Sequence, residues 1–166
     1  MDAANKTTAI GSSTFCMCSL DKEKNYLHTV NLGDSGYMII RDKEVLFKSE
    51  EQTHQFNFPY QCGTHGDNPE EAVTNLHNIK EGDLIVLATD GLWDNLYESQ
   101  ILTVVRPLVE SGSSDLNQVA KAIGDICLKY SMDRRWISPF AKRSGGYFMG
   151  GKDDDITIVV AQIIKV

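Results

Sequence analysis

The sequence has no run of about 18 apolar residues, the length needed to predict a transmembrane helix. It is also poor in basic residues: 16 Lys and Arg, scattered along the chain, face 23 Asp and Glu, for a net charge of -7. Nucleic acids and anionic membrane surfaces both select clustered basic side chains, so this composition argues against both partners. Residues 1–10 lack the basic region and apolar core of a signal peptide. We therefore expect a soluble, intracellular protein.

Cysteine and histidine are scarce, with four of each in 166 residues. Neither type shows a zinc-ligand spacing or a dense disulfide pattern, and no Ser-His-Asp or Cys-His pairing indicates a covalent mechanism. We interpret the cysteines as small apolar side chains in a reducing compartment. The surplus of carboxylates is better suited to hard divalent cations. The cysteines are Cys16, Cys18, Cys62 and Cys127.

A hydrophobic fraction of 42% is enough to build one domain with a real core. Between residues 12 and 48, four short apolar segments separated by turns predict an antiparallel meander. The continuous apolar run Leu84–Ala88 predicts a strand that is buried on both faces. Residues 49–80 show no clean periodicity and are expected to form a loop that is functional or covers a sheet edge. The meander segments are residues 14–20, 27–32, 37–40 and 45–48.

Two helices are predicted after the buried strand. Residues 98–109 carry apolar side chains at helical spacing, and Pro107 is expected to kink or end this helix. Ser114 is expected to cap a second helix over residues 115–130. Residues 131–155 look irregular, and residues 156–164 predict a last buried strand. The pattern indicates the α+β class.

Two acidic motifs lie beside predicted core strands. Residues 88–94 read Ala-Thr-Asp-Gly-Leu-Trp-Asp and place Asp90 at the exit of a buried strand, where a carboxylate is well held for metal binding. A tight turn with a side-chain hydrogen bond is the alternative. Residues 150–157 read Gly-Gly-Lys-Asp-Asp-Asp-Ile-Thr, either a metal-binding run or a solvated acidic turn. If the two strands are neighbours, Asp90 and Asp154 converge on one ion.

Four motifs in order resemble the type 2C metal-dependent protein phosphatases. They are Gly-Ser-Ser-Thr at 11–14, Asn-Leu-Gly-Asp-Ser at 31–35, the Thr-Asp-Gly motif at 89–91 and Asp-Asp-Ile-Thr at 154–157. Taken alone, the second motif reads as a hairpin turn. Residues 51–61 and 138–141 are similar to the small mitochondrial branch of that family, the one named for targeting a coenzyme Q biosynthesis protein. The resemblance extends from about residue 11 to residue 164.

The resemblance implies a four-layer α-β-β-α sandwich with antiparallel sheets and a two-metal site for Mn²⁺ or Mg²⁺. In this family a metal-activated water hydrolyses phosphoserine or phosphothreonine in proteins. By matched position, Asp90 and Asp154 are implied as catalytic metal ligands. Asp34 is implied at a third, weaker metal, and Asp94 is implied to act near that metal through water. Asp155 stands where the family often has Asn.

One family segment has no counterpart in this sequence: the early Asp-Gly-x-Gly-Gly motif, which carries the bridging ligand. We therefore expect residues 1–166 to be the C-terminal portion of a phosphatase domain, with an incomplete metal site and uncovered sheet edges. A missing N-terminal segment or a partner chain would then complete the site. The alternative is a catalytically inactive, phosphatase-derived subunit that serves as a binding or scaffold module in a larger, mitochondrial assembly. The branch resemblance makes the mitochondrial matrix the expected location.

Overall fold

The computed structural model describes Lys6, residues 8–110 and residues 115–164. The predicted cap at Ser114 and most of residues 1–7 lie outside the described residues. The described chain contains eleven strands, four α-helices and one short 3-10 helix at Pro69–Glu71. The strands are β1 Ser12–Ser13, β2 Phe15–Asp21, β3 Tyr26–Leu32, β4 Gly36–Arg41, β5 Glu44–Lys48, β6 Thr53–Gln55, β7 Phe58–Pro59, β8 Cys62–Gly63, β9 Val73–Asn78, β10 Leu84–Ala88 and β11 Ile158–Gln162. The helices are α1 Asp90–Trp93, α2 Glu98–Glu110, α3 Leu116–Ser131 and α4 Pro139–Arg143.

Two antiparallel sheets form the body of the molecule. One has four strands in the order β11-β10-β4-β5, and the other has three in the order β2-β3-β9. Strands β1 and β8 form a small separate pair, as do β6 and β7. The predicted α+β class with antiparallel sheets is confirmed.

The four-stranded sheet is covered on both faces. On one face, Met38 and Val86 pack with Ile101 of α2 and Ile123 of α3. On the other face, a second cluster lies between the two sheets; its buried members are Leu27, Tyr37, Ile39, Ile79, Ile85 and Ile163. The described residues thus form helix, sheet and sheet, three of the four expected layers. The outer face of the three-stranded sheet is open, with Met17 and Leu76 each 55% exposed.

The predicted meander over residues 12–48 is wrong at its centre. Strands β3 and β4 do not pair; they belong to different sheets, and residues 33–35 carry the chain from one to the other. The motif at residues 31–35 is therefore not a hairpin turn. Because alternate side chains of β4 enter both cores, this strand is buried on both faces and no hydrophobic alternation reveals its partner.

The prediction of a plain loop over residues 49–80 missed β9, which pairs with β3 along six residue pairs. Its inward side chains include the polar His77, whose Nε2 lies 2.8 Å from the Tyr37 hydroxyl. That hydroxyl also bonds the Thr29 hydroxyl at 2.7 Å. A strand whose core-facing positions are polar shows no alternation of apolar residues, so the sequence pattern could not reveal it.

The helices follow the prediction with small corrections. Helix α2 continues to Glu110, so Pro107 lies inside the helix and does not end it. Helix α3 is capped by Asp115, whose side chain accepts hydrogen bonds from the backbone N–H groups of Asn117 and Gln118. The last strand is shorter than predicted and largely half-buried. Across the described ranges, none of the helices combines the length and apolar character needed to cross a membrane.

An ion pair between the buried Asp83 and the partly exposed Arg41 fixes the start of β10 against the end of β4. The Arg41 guanidinium donates to both carboxylate oxygens of Asp83, at 2.8 and 2.7 Å, and also to the Asn78 carbonyl oxygen. The Asp83 side chain is 1% exposed and also accepts from the Lys80 N–H. The pKa of Arg41 is raised by its hydrogen bonds to Asp83. Such bidentate charge-assisted pairs have strict geometry.

Replacing Arg41 with Met should lower the free energy of unfolding by about 3–5 kcal/mol, because Asp83 is left as an uncompensated buried charge. Urea denaturation followed by circular dichroism measures this change. Lys43→Met is the matched control: its pair with Glu110 is solvent-exposed, and its removal should cost no more than about 1 kcal/mol. Equal losses for the two variants would contradict the assignment.

Candidate functional site

The pairing of β10 with β11 brings the two acidic motifs together. The strands are antiparallel, with Ala88 opposite Ile158, so the exit of one lies beside the entry of the other. Beyond the ladder, the Thr89 N–H donates to the Thr157 carbonyl oxygen at 3.2 Å. The Thr89 hydroxyl donates to the Asp155 carbonyl oxygen at 3.1 Å and accepts from the Thr157 N–H at 3.1 Å. These bonds continue the contact beyond the strands, to helix α1, which begins at Asp90, and to the loop that carries Asp154.

Gly91 and Asn95 hold helix α1 in close contact with the loop at residues 152–155. A Cβ atom at Gly91 would overlap the carbonyl oxygen of Asp155, so only glycine allows this approach. The fully buried Asn95 amide donates to the carbonyl oxygens of Gly91 and Lys152, at 2.9 and 2.8 Å. Its own carbonyl oxygen accepts from the Lys152 N–H at 2.8 Å. One buried side chain therefore fixes both loops.

The ammonium group of Lys152 lies at the centre of the cluster. Its Nζ bonds Asp90 Oδ2 at 2.6 Å, Asp94 Oδ2 at 2.7 Å and Asp154 Oδ2 at 3.0 Å. The pKa of Lys152 is raised because its hydrogen bonds to Asp90 and Asp94 outweigh the burial, which acts in the opposite direction. The pKa of Asp154 is lowered by its hydrogen bond to Lys152, again against the effect of burial. Lys152 and Asp154 are thus both stabilised in their charged forms.

Asp94 is held by two cations. While Oδ2 accepts from Lys152, Oδ1 accepts a very short hydrogen bond from the Arg143 guanidinium. Arg143 also lies 3.4 Å from a carboxylate oxygen of Glu51. The family resemblance implies that Asp94 acts near a metal through water; the structure shows its carboxylate paired with Lys152 and Arg143 within the acidic site.

Asp34 faces the same site from the crossing between the sheets. It lines a cavity of about 350 Å³ together with Asp94, Glu51 and Arg143. Burial, followed by repulsion from Asp90, raises the pKa of Asp34 to about 6. The apolar walls of the cavity are Phe56 and Phe140, whose ring centroids are 4.9 Å apart.

Three of the four sequence-predicted site residues, Asp90, Asp94 and Asp154, share one partner, and Asp34 lies on the adjoining cavity. Sequence reasoning missed the roles of Lys152, Asn95 and Glu51. The only available signal was a lysine within the acidic run at residues 150–155, which is a natural counter-ion for that run. Nothing in the sequence indicated Asn95, because its role is to join two loops that are distant along the chain.

The donor chemistry of Asp90 and Asp154 fits a hard divalent cation, since each offers carboxylate oxygens and remains partly exposed. Two carboxylates are fewer than the six or more oxygen ligands that such ions take. Within residues 8–110 and 115–164, no group of three or more His, Cys, Asp or Glu side chains is arranged to hold a metal ion. The residues present fit part of a metal site.

Solved structures that match this fold include proteins named as phosphatases. The X-ray structure of the photosystem II phosphatase PBCP matches 98% of this chain and 68% of its own, with a TM-score of 0.88 and 32% identity. The catalytic domain of the serine/threonine phosphatase PstP, in complex with two manganese ions, matches 93% of this chain and 60% of its own. Its TM-score is 0.63 at 18% identity, which supports the fold alone. The class defined by fold and site is the type 2C protein phosphatase domain.

The family model described as Stage II sporulation protein E (SpoIIE) matches residues 2–164, and the chain belongs to this family of type 2C phosphatase domains. It is 40% identical to the protein phosphatase PTC7 homolog fig of Drosophila erecta, over 93% of this chain and 53% of the relative. It is 37% identical to the PTC7 homolog of Xenopus laevis, over 97% of this chain and 58% of the relative. The resemblance inferred from the four motifs is confirmed. The chain spans little more than half the length of these curated relatives.

Substitution of Gly91 by Ala should lower the free energy of unfolding by about 1–3 kcal/mol, because the added methyl group forces the two loops apart. Thermal and urea unfolding measure the loss.

Gly124→Ala is the matched control. Gly124 lies inside α3, where a Cβ would make only an ordinary contact, 3.9 Å from Ile158 Cδ1. Alanine at this helical position should stabilise the protein by about 0.5–1 kcal/mol. A Gly91→Ala protein as stable as the wild type would refute the close-packed junction.

Proposed function

We propose that this chain is the C-terminal portion of a phosphatase domain that hydrolyses phosphoserine and phosphothreonine in proteins with Mn²⁺ or Mg²⁺. The proposal rests on one observation. Asp90 and Asp154 are far apart along the chain, but the pairing of β10 with β11 brings them together, and both carboxylates bond the ammonium of Lys152. Family membership and the likeness to PBCP support the same reaction.

In the proposed site, Asp90 and Asp154 are the metal ligands that this chain contributes to catalysis. Bound divalent ions would supply an activated water and offset charge on the transferring phosphoryl group. Asp34 is proposed at a third, weaker metal position. Asp94 is proposed to act there only through water, because its two oxygens already accept from Lys152 and Arg143.

We further propose that the remaining metal ligands come from a segment N-terminal to these residues or from a partner chain. Two carboxylates do not complete the shell of a hard cation. The open outer face at Met17 and Leu76 supports this proposal, because exposed apolar sheet faces are normally covered. The chain also matches only about half of its PTC7 relatives.

A phosphoprotein substrate fits the surface beside the site. Arg143 lines the cavity next to Asp94. A neighbouring groove of about 380 Å³ carries Arg134, Arg135 and Lys142, with apolar walls that include Met149. This local group of cations contrasts with the net charge of -7 on the whole chain. Such a surface is suited to acidic or phosphorylated segments.

The second candidate function is a catalytically inactive, phosphatase-derived subunit that acts as a binding or scaffold module. The observation that favours it is the ammonium of Lys152, which pairs with Asp90, Asp94 and Asp154 and, with Arg143 on Asp94, offsets most of their charge without a metal ion. For either function, a mitochondrial location is proposed on the branch resemblance alone.

A phosphatase assay distinguishes the two functions. The purified chain, with an added N-terminal segment bearing the Asp-Gly-x-Gly-Gly motif, should hydrolyse a phosphothreonine peptide in Mn²⁺. Asp90→Asn and Asp154→Asn should each lower kcat/KM by about 10²-fold or more, because a lost ligand removes several kcal/mol of charge stabilisation.

The control for this assay is Asp153→Asn. Asp153 is exposed and lies next to Asp154, so its loss should leave the rate unchanged. The chain alone should be inactive. Activity without the added segment would refute the incomplete site, and inactivity of the assembled protein would favour the scaffold function.

Reversing the charge of Arg134 and Arg135 together should raise KM for an acidic phosphopeptide about 10-fold while leaving kcat nearly constant, because the change weakens encounter and ground-state binding. Initial rates at several ionic strengths measure this effect, which should shrink as salt screens the charges. The control is Lys121→Glu, an exposed charge on α3 paired with Asp125. An equal rise in KM for the control would contradict the proposal.

A further inference from the structure

We propose that Lys152 is a built-in cation of the acidic site: its ammonium group holds Asp90, Asp94 and Asp154 together and competes with a divalent ion for the oxygens of Asp90 and Asp154. Lys152 is thus a positioning residue that sets metal affinity. The competition between Lys152 and a divalent ion rests on the proposed function. The role of Lys152 in holding the three carboxylates together in the metal-free protein rests on geometry alone.

The geometry is that of a fixed counter-ion. The ammonium lies within 3.0 Å of one oxygen from each of the three carboxylates, and the Lys152 side chain is only 17% exposed. A solvated surface lysine has no such fixed position, because an exposed pair gains too little to order a long side chain. Nζ also lies 5.1 Å from the ring centroid of Phe140, which shields it from water on that side.

The backbone of Lys152 is fixed as firmly as its side chain. Its N–H donates to Asn95 and its carbonyl oxygen accepts from Asn95, with both distances at 2.8 Å. Asn95 is fully buried and also bonds the Gly91 carbonyl oxygen. The backbone of Lys152 is therefore held next to α1, the helix that begins with Asp90. From this fixed position its side chain reaches all three carboxylates.

The charges at the site make this cation necessary in the metal-free protein. Three carboxylates that each place an oxygen within 3.0 Å of one ammonium repel each other, and Asp34 lines the adjoining cavity. Arg143 offsets part of this charge, but from the far side of Asp94. Lys152 is the cation that bonds both Asp90 and Asp154.

A divalent ion that takes oxygens from Asp90 and Asp154 must draw them away from the ammonium, since Lys152 occupies Oδ2 of each. Asp94 remains as its partner, because that carboxylate is buried and oriented by Arg143. Metal binding is then an exchange of one cation for another, with Asp94 retaining the lysine. Lys152 thus keeps Asp90 and Asp154 in position before a metal ion binds, and by competing for their oxygens it lowers the affinity for that ion.

Lys152→Met, which keeps the length of the side chain and removes its charge, tests the exchange in the 166-residue chain. In EDTA the melting temperature should fall by several degrees, because the carboxylates lose their shared cation. In calorimetric titration with Mn²⁺ alone, the variant should bind at least about tenfold more tightly than the wild type, because no internal cation competes. Added Mn²⁺ should raise its melting temperature more than that of the wild type.

Lys121→Met is the control, because it removes an equal charge from an exposed pair on α3. It should leave the Mn²⁺ affinity and both melting temperatures unchanged. Lys152→Arg keeps the charge and should titrate close to the wild type; a Lys152→Arg protein that behaves like Lys152→Met would show that packing matters rather than charge, and would overturn the proposal. Weaker or equal Mn²⁺ binding by Lys152→Met relative to Lys121→Met would also overturn it.

These outcomes are separable from failure of the proposed function. If the assembled protein hydrolyses no phosphopeptide while Lys152→Met binds Mn²⁺ more tightly, the phosphatase proposal fails and the role of Lys152 is supported. If Asp90→Asn abolishes an existing activity while Lys152→Met titrates like the control, the role of Lys152 fails and the phosphatase proposal is supported.

Discussion

The antiparallel pairing of β10 with β11 is the constraint on which the candidate site depends. It places the exit of one buried strand beside the entry of the other, so that the loops at Asp90 and Asp154 emerge at the same sheet end. Asn95 then joins the loops by hydrogen bonds to both backbones, and Gly91 allows their contact. Asp90 at the start of α1 and Asp154 in the loop before β11 are thereby held in fixed relative positions, as preorganised ligands require.

Charge compensation explains how a protein of net charge -7 tolerates so many carboxylates in one place. Lys152 serves three of them and Arg143 bridges Asp94 to Glu51. At the edge of the cluster, the carboxyl groups of Asp34 and Glu51 both have a raised pKa, with burial as the main cause. The site is a closed ion network in this structure, and the two proposed functions differ in whether a divalent cation replaces Lys152 within it.

The layers of the core and the similarity to known phosphatases point to the same domain. Helices α2 and α3 cover one face of the central sheet, and the three-stranded sheet covers the other. The outer face of the second sheet exposes the apolar side chains Met17 and Leu76, and the chain spans little more than half the length of its PTC7 relatives. In the PstP structure a domain of the same fold holds two manganese ions. We propose that one segment or partner chain supplies both the remaining metal ligands and the fourth layer of the sandwich.

The sequence by itself determined the α+β class, the buried strand Leu84–Ala88, the two long helices and the family, because each rests on local periodicity or on motifs of adjacent residues. Only the tertiary structure decided that β3 and β4 lie in different sheets and that β9 exists, because a strand buried on both faces or lined with polar groups has no diagnostic alternation. The place of Lys152 among the acids was likewise decided by tertiary structure. Its bonds to Asp90 and Asp94 depend on residues far apart along the chain, and no local pattern encodes such a distance.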